Sequence, residues 1–197
     1  MATEQHIPYL SHTHGIWGTS HCIIHAIRNY IGRDSNAEFM HIYSHLNTHN
    51  TILDFLTVLA NITRDSKFIL HTNGYYMPLF IHWGILIEHV FVIKGHHVYN
   101  ITGLQGSHRW LLDSTNNICK AITQEELIHT VRNATIVCIL PNSRHLEMRL
   151  CCAKETDIYY NTLRNDFAQS QKLRVHDTVD DEITKNAASL AKLSIQE

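Results

Sequence analysis

The chain has no excess of positive charge, no long apolar run and no internal repeat. Lysine and arginine total 16 against 18 aspartates and glutamates, a net charge of −2 with neutral histidines. No basic field recommends nucleic acid as a partner. No segment approaches the ~20 apolar residues of a membrane span, and the apolar stretch from Ile81 to Ile93 is broken by His82, Glu88 and His89. Met1-Ala2-Thr3-Glu4-Gln5-His6 lacks the charged and apolar regions of a secretory leader. Cys-x-x-Cys and His-Glu-x-x-His are both absent. Together with an odd number of cysteines, five, these absences lead to the expectation of a cytoplasmic protein with reduced thiols and no cofactor. Neither a membrane nor a nucleic acid is expected as a partner.

What is present is hydrophobic content of 44%, sufficient for a sizeable core in 197 residues, and an unusual load of 17 histidines. The first stretch, 1–18, reads as an extended arm. Thr19 or Ser20 can cap a helix beginning near Cys22, whose apolar positions Ile23, Ile24, Ala26, Ile27, Tyr30 and Ile31 share a face before Gly32 stops it. Further helices are predicted over 37–46 and 51–62, the latter burying Leu53, Leu56, Val58 and Leu59. Strand character follows at Phe68 to His71, with a turn at Thr72-Asn73-Gly74, and at Ile85 to Ile93. Lys94-Gly95-His96 predicts a hairpin turn, with a returning strand from His97 to Thr102. Thr123-Gln124-Glu125-Glu126 matches a capping box opening a short helix through Val131, and Ile136 to Leu140 reads as another strand.

Polar residues become frequent after Asn142, with helical spacing of Leu146, Leu150, Ile158, Leu163 and Phe167, and 177–182 reads as a solvated face. The expected class is α+β: N-terminal helices on a small antiparallel sheet, then C-terminal helices. The expected division is a domain over 1–145 and a helical extension over 146–197 that could serve oligomer or partner contact.

Chemistry is suggested by one pairing. Cys22 stands at a helix N-terminus, where aligned backbone N–H groups favour a thiolate. His89 opens an apolar strand, where a polar residue demands a partner. The hairpin brings Asn100 roughly opposite Val90 and His89, able to orient the imidazole. The competing bland readings are a small buried hydrophobe for Cys22 and a hydrogen-bonded core histidine for His89.

The run His89-Val90-Phe91-Val92-Ile93-Lys94-Gly95-His96-His97-Val98-Tyr99-Asn100-Ile101-Thr102-Gly103, following Cys22, resembles a segment of papain-like and transglutaminase-like thiol enzymes. That resemblance implies Cys22 as nucleophile, His89 as base and Asn100 as orienter, in a cysteine hydrolase or acyl-transfer enzyme (a protease, a deamidase or similar) acting on a protein or peptide-like amide. Trp17, Gly18 and His21 are the candidate substrate-binding residues. Ile16 and Ile23 stand where papain has its glutamine and a tryptophan, which leaves the oxyanion donor unassigned.

Two other readings are carried forward. A non-enzymatic binding or inhibitor protein would use the C-terminal helices. A zinc enzyme would draw on histidines such as His41, His45 and His49, which recur every four residues. A weaker third, a two-histidine phosphoesterase, rests on Ser11-His12-Thr13 and His71-Thr72.

Overall fold

A computed structural model describes residues 22–31, 52–63, 66–104, 108–154 and 158–172. Helices α1 (Cys22–Ile31) and α2 (Ile52–Thr63) precede strand β1 (Phe68–Asn73). A single 3-10 turn leads into the short helix α3 (Met77–His82). Strands β2 (His89–Lys94), β3 (His97–Thr102), β4 (Arg109–Asp113) and β5 (Ile118–Ile122) follow, then helix α4 (Gln124–Val131), strand β6 (Thr135–Leu140), helix α5 (Arg144–Cys152) and a last helix, α6, over 158–172. The class is α+β, as expected.

Six strands form one antiparallel sheet in the order β1-β6-β2-β3-β4-β5. Strand alternation sends successive side chains to opposite faces, and two cores result. Phe91, Val98, Val137 and Ile139 point to α1 and α2, meeting Ile24, Ile27, Phe55, Leu56 and Leu59. Val90, Val92, Ile101, Ile136, Cys138 and Leu140 point the other way, meeting Met77, Phe80, Leu127, Val131, Leu146, Leu150, Leu163 and Phe167. The sheet is therefore the middle layer of three. At an apolar transfer value of roughly 1.5–3 kcal/mol per fully buried large side chain, both faces contribute to stability.

The helices beyond residue 145 are part of this packing. The anticipated boundary at 145/146 falls inside α5, and Leu146, Leu150, Leu163 and Phe167 lie in the same core as the sheet. Helix α6 also ties down the sheet edge at β1. Thr72 Oγ1 donates to Asp166 Oδ2 at 2.8 Å, and the His71 amide donates to Ser170 Oγ at 3.2 Å. Covering an edge strand in this way removes a template for unwanted pairing.

Several local expectations match. The β2–β3 hairpin turns at Gly95-His96, with Gly95 at φ +62°. Helix α4 carries the complete capping box: Thr123 Oγ1 accepts from the Glu126 amide at 3.1 Å, and Glu126 Oε2 accepts from the Thr123 amide at 2.7 Å. Other expectations need correction. Strand β1 continues through Thr72 and Asn73 rather than turning there. Residues 85–88 are not strand. In α2 the buried face is Phe55, Leu56, Val58 and Leu59, while Leu53 is 55% exposed. Both Cys119 and Cys138 have apolar sequence neighbours that predict core positions; Cys138 is buried, whereas Cys119 lies exposed on β5. The helix predicted over 37–46 and the charged stretch at 177–182 lie outside the described residues.

Candidate active site

Helix α1 lies over β3 and β4 and is fastened there by polar contacts as well as apolar ones. Asn29 Nδ2 donates to Ser114 Oγ at 2.8 Å, and Ser114 Oγ lies 3.1 Å from Asn29 Oδ1. Both residues are buried, so the pair fixes the helix against the turn that follows β4. At the helix N-terminus, Cys22 is 7% exposed, and its Sγ lies 3.4 Å from the carbonyl oxygen of His96, in the hairpin turn.

The anticipated partners of Cys22 meet each other but not the thiol. His89 Nε2 and Asn100 Nδ2 are 2.6 Å apart, and Asn100 Nδ2 also donates to the Ala26 carbonyl at 3.0 Å. Because the amide nitrogen must donate to that carbonyl, it donates to His89 as well. His89 Nε2 is thus an acceptor, and its proton sits on Nδ1. The ring rests edge-on against Tyr30, at 4.9 Å between centroids, and tilted against Phe91 at 4.9 Å. Tyr30 is eight residues beyond Cys22, about 12 Å of helix rise. His89 is 4% exposed, and burial pushes its imidazole down to about 3. The register pairs Asn100 with Phe91, and His89 with Thr102, one step from the expected alignment. This pair is a polar bolt between helix α1 and the sheet, with a neutral imidazole.

A second histidine pair lies on the face of the sheet opposite α1, with Tyr99 and Ile101. His97 opens β3, one peptide unit from the carbonyl that Cys22 touches. Its Nε2 is 2.7 Å from Asp113 Oδ2, with the two side chains 32% and 7% exposed respectively. The His97 ring also stacks on Tyr99, centroids 5.7 Å apart at 30° between planes. Burial and the charge of Asp113 both push the Tyr99 phenol up. The thiol meets the backbone carbonyl of His96, whereas the His97 ring points to the other side of the strand.

Sequence reasoning passed over His97 and Asp113. The signals were a histidine directly after a hairpin turn and an aspartate closing the apolar run Trp110-Leu111-Leu112. The pairing of β3 with β4, Asn100 opposite Leu112, is what brings them into line. Trp17, Gly18 and His21 lie outside the described residues, as do His12, His41, His45 and His49. Among the described residues no group of three or more His, Cys, Asp or Glu side chains is arranged to hold a metal ion. His71 lies on β1 at the far side of the sheet from Cys22, lining a cleft of about 570 Å³ with Asp166 and Ser170; burial pushes its imidazole down and Asp166 partly offsets this. No helix among the described residues is long and apolar enough to cross a membrane. No protein-family model, curated protein or solved structure matches the chain.

Proposed function

We propose that the protein is a cysteine-dependent hydrolase or acyl-transfer enzyme acting on a protein or peptide-like amide, with Cys22 as nucleophile. The observation that carries this reading is the Cys22 thiol at the first residue of α1, with the His89–Asn100 pair on the sheet face that the same helix covers.

In the first step the thiol proton passes to a base and the sulfur attacks the amide carbonyl. The tetrahedral intermediate collapses with cleavage of the C–N bond, and the proton returns to the departing amine. Water then cleaves the thioester and regenerates the thiol; an amine in place of water gives acyl transfer.

The test is chemical and needs no knowledge of the natural substrate. Iodoacetamide at about pH 6 is expected to alkylate Cys22 ahead of Cys119, Cys151 and Cys152, although those three are exposed and Cys22 is buried. Labelling that simply follows exposure, with Cys22 slowest, overturns the proposal.

A further inference from the structure

On the face of the sheet away from α1, an apolar cavity of about 220 Å³ opens between α3, α4, β4 and the residues that lead into β2. We propose that this cavity binds a single-chain carboxylate of medium length, with its hydrocarbon inside and its carboxylate on Arg109. The site shares no residue with the thiol reading above and stands or falls without it.

The cavity exists because the chain leaves α3 without entering the sheet at once. Gly84, at φ +65°, turns it, and residues 85–87 run irregularly before β2 begins at His89. Met77, Ile85, Ile87 and Leu127 are buried and form the floor, whereas Leu86 is 53% exposed at the rim. Backbone groups at the rim are already committed. The Gly84 amide donates to the Ile81 carbonyl at 3.0 Å, and the Ile85 amide donates to the Phe80 carbonyl at 2.9 Å.

Arg109 carries the one polar side chain among the described lining residues. Alternation along β4 puts it on the same face as Leu111, which lies in the core on that side. It is half-buried and forms no ion pair among the described residues. Its Nη2 donates to the neutral Gln124 Oε1 at 3.2 Å, which leaves Nε and Nη1 for another acceptor. A guanidinium partly withdrawn from water, with only a neutral partner, favours an anion.

These features select the ligand. Apolar walls favour hydrocarbon, and a single cation favours one anionic group. A carboxylate matches the planar fork of the guanidinium. An extended peptide fits less well, because no other described lining side chain could hydrogen-bond its backbone. A methylene is about the size of a water molecule, so at about 30 Å³ each the cavity takes a chain of roughly seven carbons.

The experiment is isothermal titration calorimetry of the full-length protein with straight-chain carboxylates at neutral pH. Octanoate is expected to bind saturably, one per chain. From butanoate to octanoate, affinity should rise about fourfold for each added methylene, then level off once the cavity is filled. Octanol, with the same chain and no charge, is expected to bind about tenfold more weakly. Arg109→Gln should weaken octanoate about tenfold and leave octanol unchanged. No saturable binding of octanoate at millimolar concentration overturns the proposal. So does an affinity that ignores chain length, a result read on the unaltered protein. Equal affinity for octanol and octanoate overturns it as well. Equal losses for both in Arg109→Gln do the same, since the substitution then acts on the cavity rather than on the carboxylate.

Discussion

Two histidine pairs sit on one hairpin and differ in almost every physical respect. His89 joins an amide; His97 joins a carboxylate. The first pair is sealed beneath α1, with His89 at 4% exposure, whereas the His97 side chain is 32% exposed at the hairpin tip. Burial without a compensating charge makes His89 a permanent neutral acceptor, its imidazole pushed down to about 3. His97 has a carboxylate on one ring nitrogen and a stacked phenol beside it, on the face of the sheet away from α1. One histidine joins a helix to the sheet, and the other joins two strands. Similar residue types diverge because one is buried under a helix and the other is partly open to solvent.

The comparison breaks most sharply under substitution. Asn100→Ala is expected to destabilise far more than His97→Ala, which breaks a partly exposed ion pair and leaves the thermal midpoint near the parent value. Asn100→Ala removes the donor to the Ala26 carbonyl and leaves His89 Nε2 without a partner in a dry site, which costs about 2 kcal/mol by denaturant unfolding. Full stability in Asn100→Ala, beside a large loss in His97→Ala, would exchange the structural weights assigned to the two pairs.

Acid distinguishes them next. In the native state His89 stays neutral down to about 3, while the unfolded chain takes up that proton near 6.5. Between those values the unfolded state binds more protons. Stability therefore falls as pH drops through that window, by up to about 1.4 kcal/mol for each pH unit per such group. Replacing His89 with leucine is expected to flatten this acid slope, whatever it does to stability at neutral pH. Urea midpoints measured between about pH 4 and 7 would show it. An acid slope that survives His89→Leu would assign the sensitivity to other groups.

Much of this was legible in the residues themselves. The hairpin followed from a glycine between two alternating apolar runs. The need of His89 for a polar partner followed from its place at the mouth of Val90-Phe91-Val92-Ile93, and Asn100 answers it. Helix α4 was legible down to its reciprocal caps. Less was visible where local pattern and tertiary setting part. Met77-Pro78-Leu79-Phe80-Ile81-His82 is apolar on every side and too short to show a helical period. Strand β5 is exposed at Ile118, Cys119, Lys120 and Ala121, so it lacks the alternation that marks a half-buried strand. Without β5 and its partner β4, the alignment of Asp113 with His97 could not be derived.

The smallest effect tests whether a change remote from both pairs stays remote. Thr123→Ala removes half of the capping box on α4, whose Leu127 and Val131 pack on the sheet face opposite α1 and α2. A lost cap of this kind costs about 1 kcal/mol. The thermal midpoint is expected to fall by a few degrees. Cys22 alkylation at about pH 6 should be unaltered, because the Asn29–Ser114 fastening of α1 does not involve α4. Should the alkylation rate fall along with the midpoint, thiol reactivity would be reporting global stability rather than the local setting of Cys22.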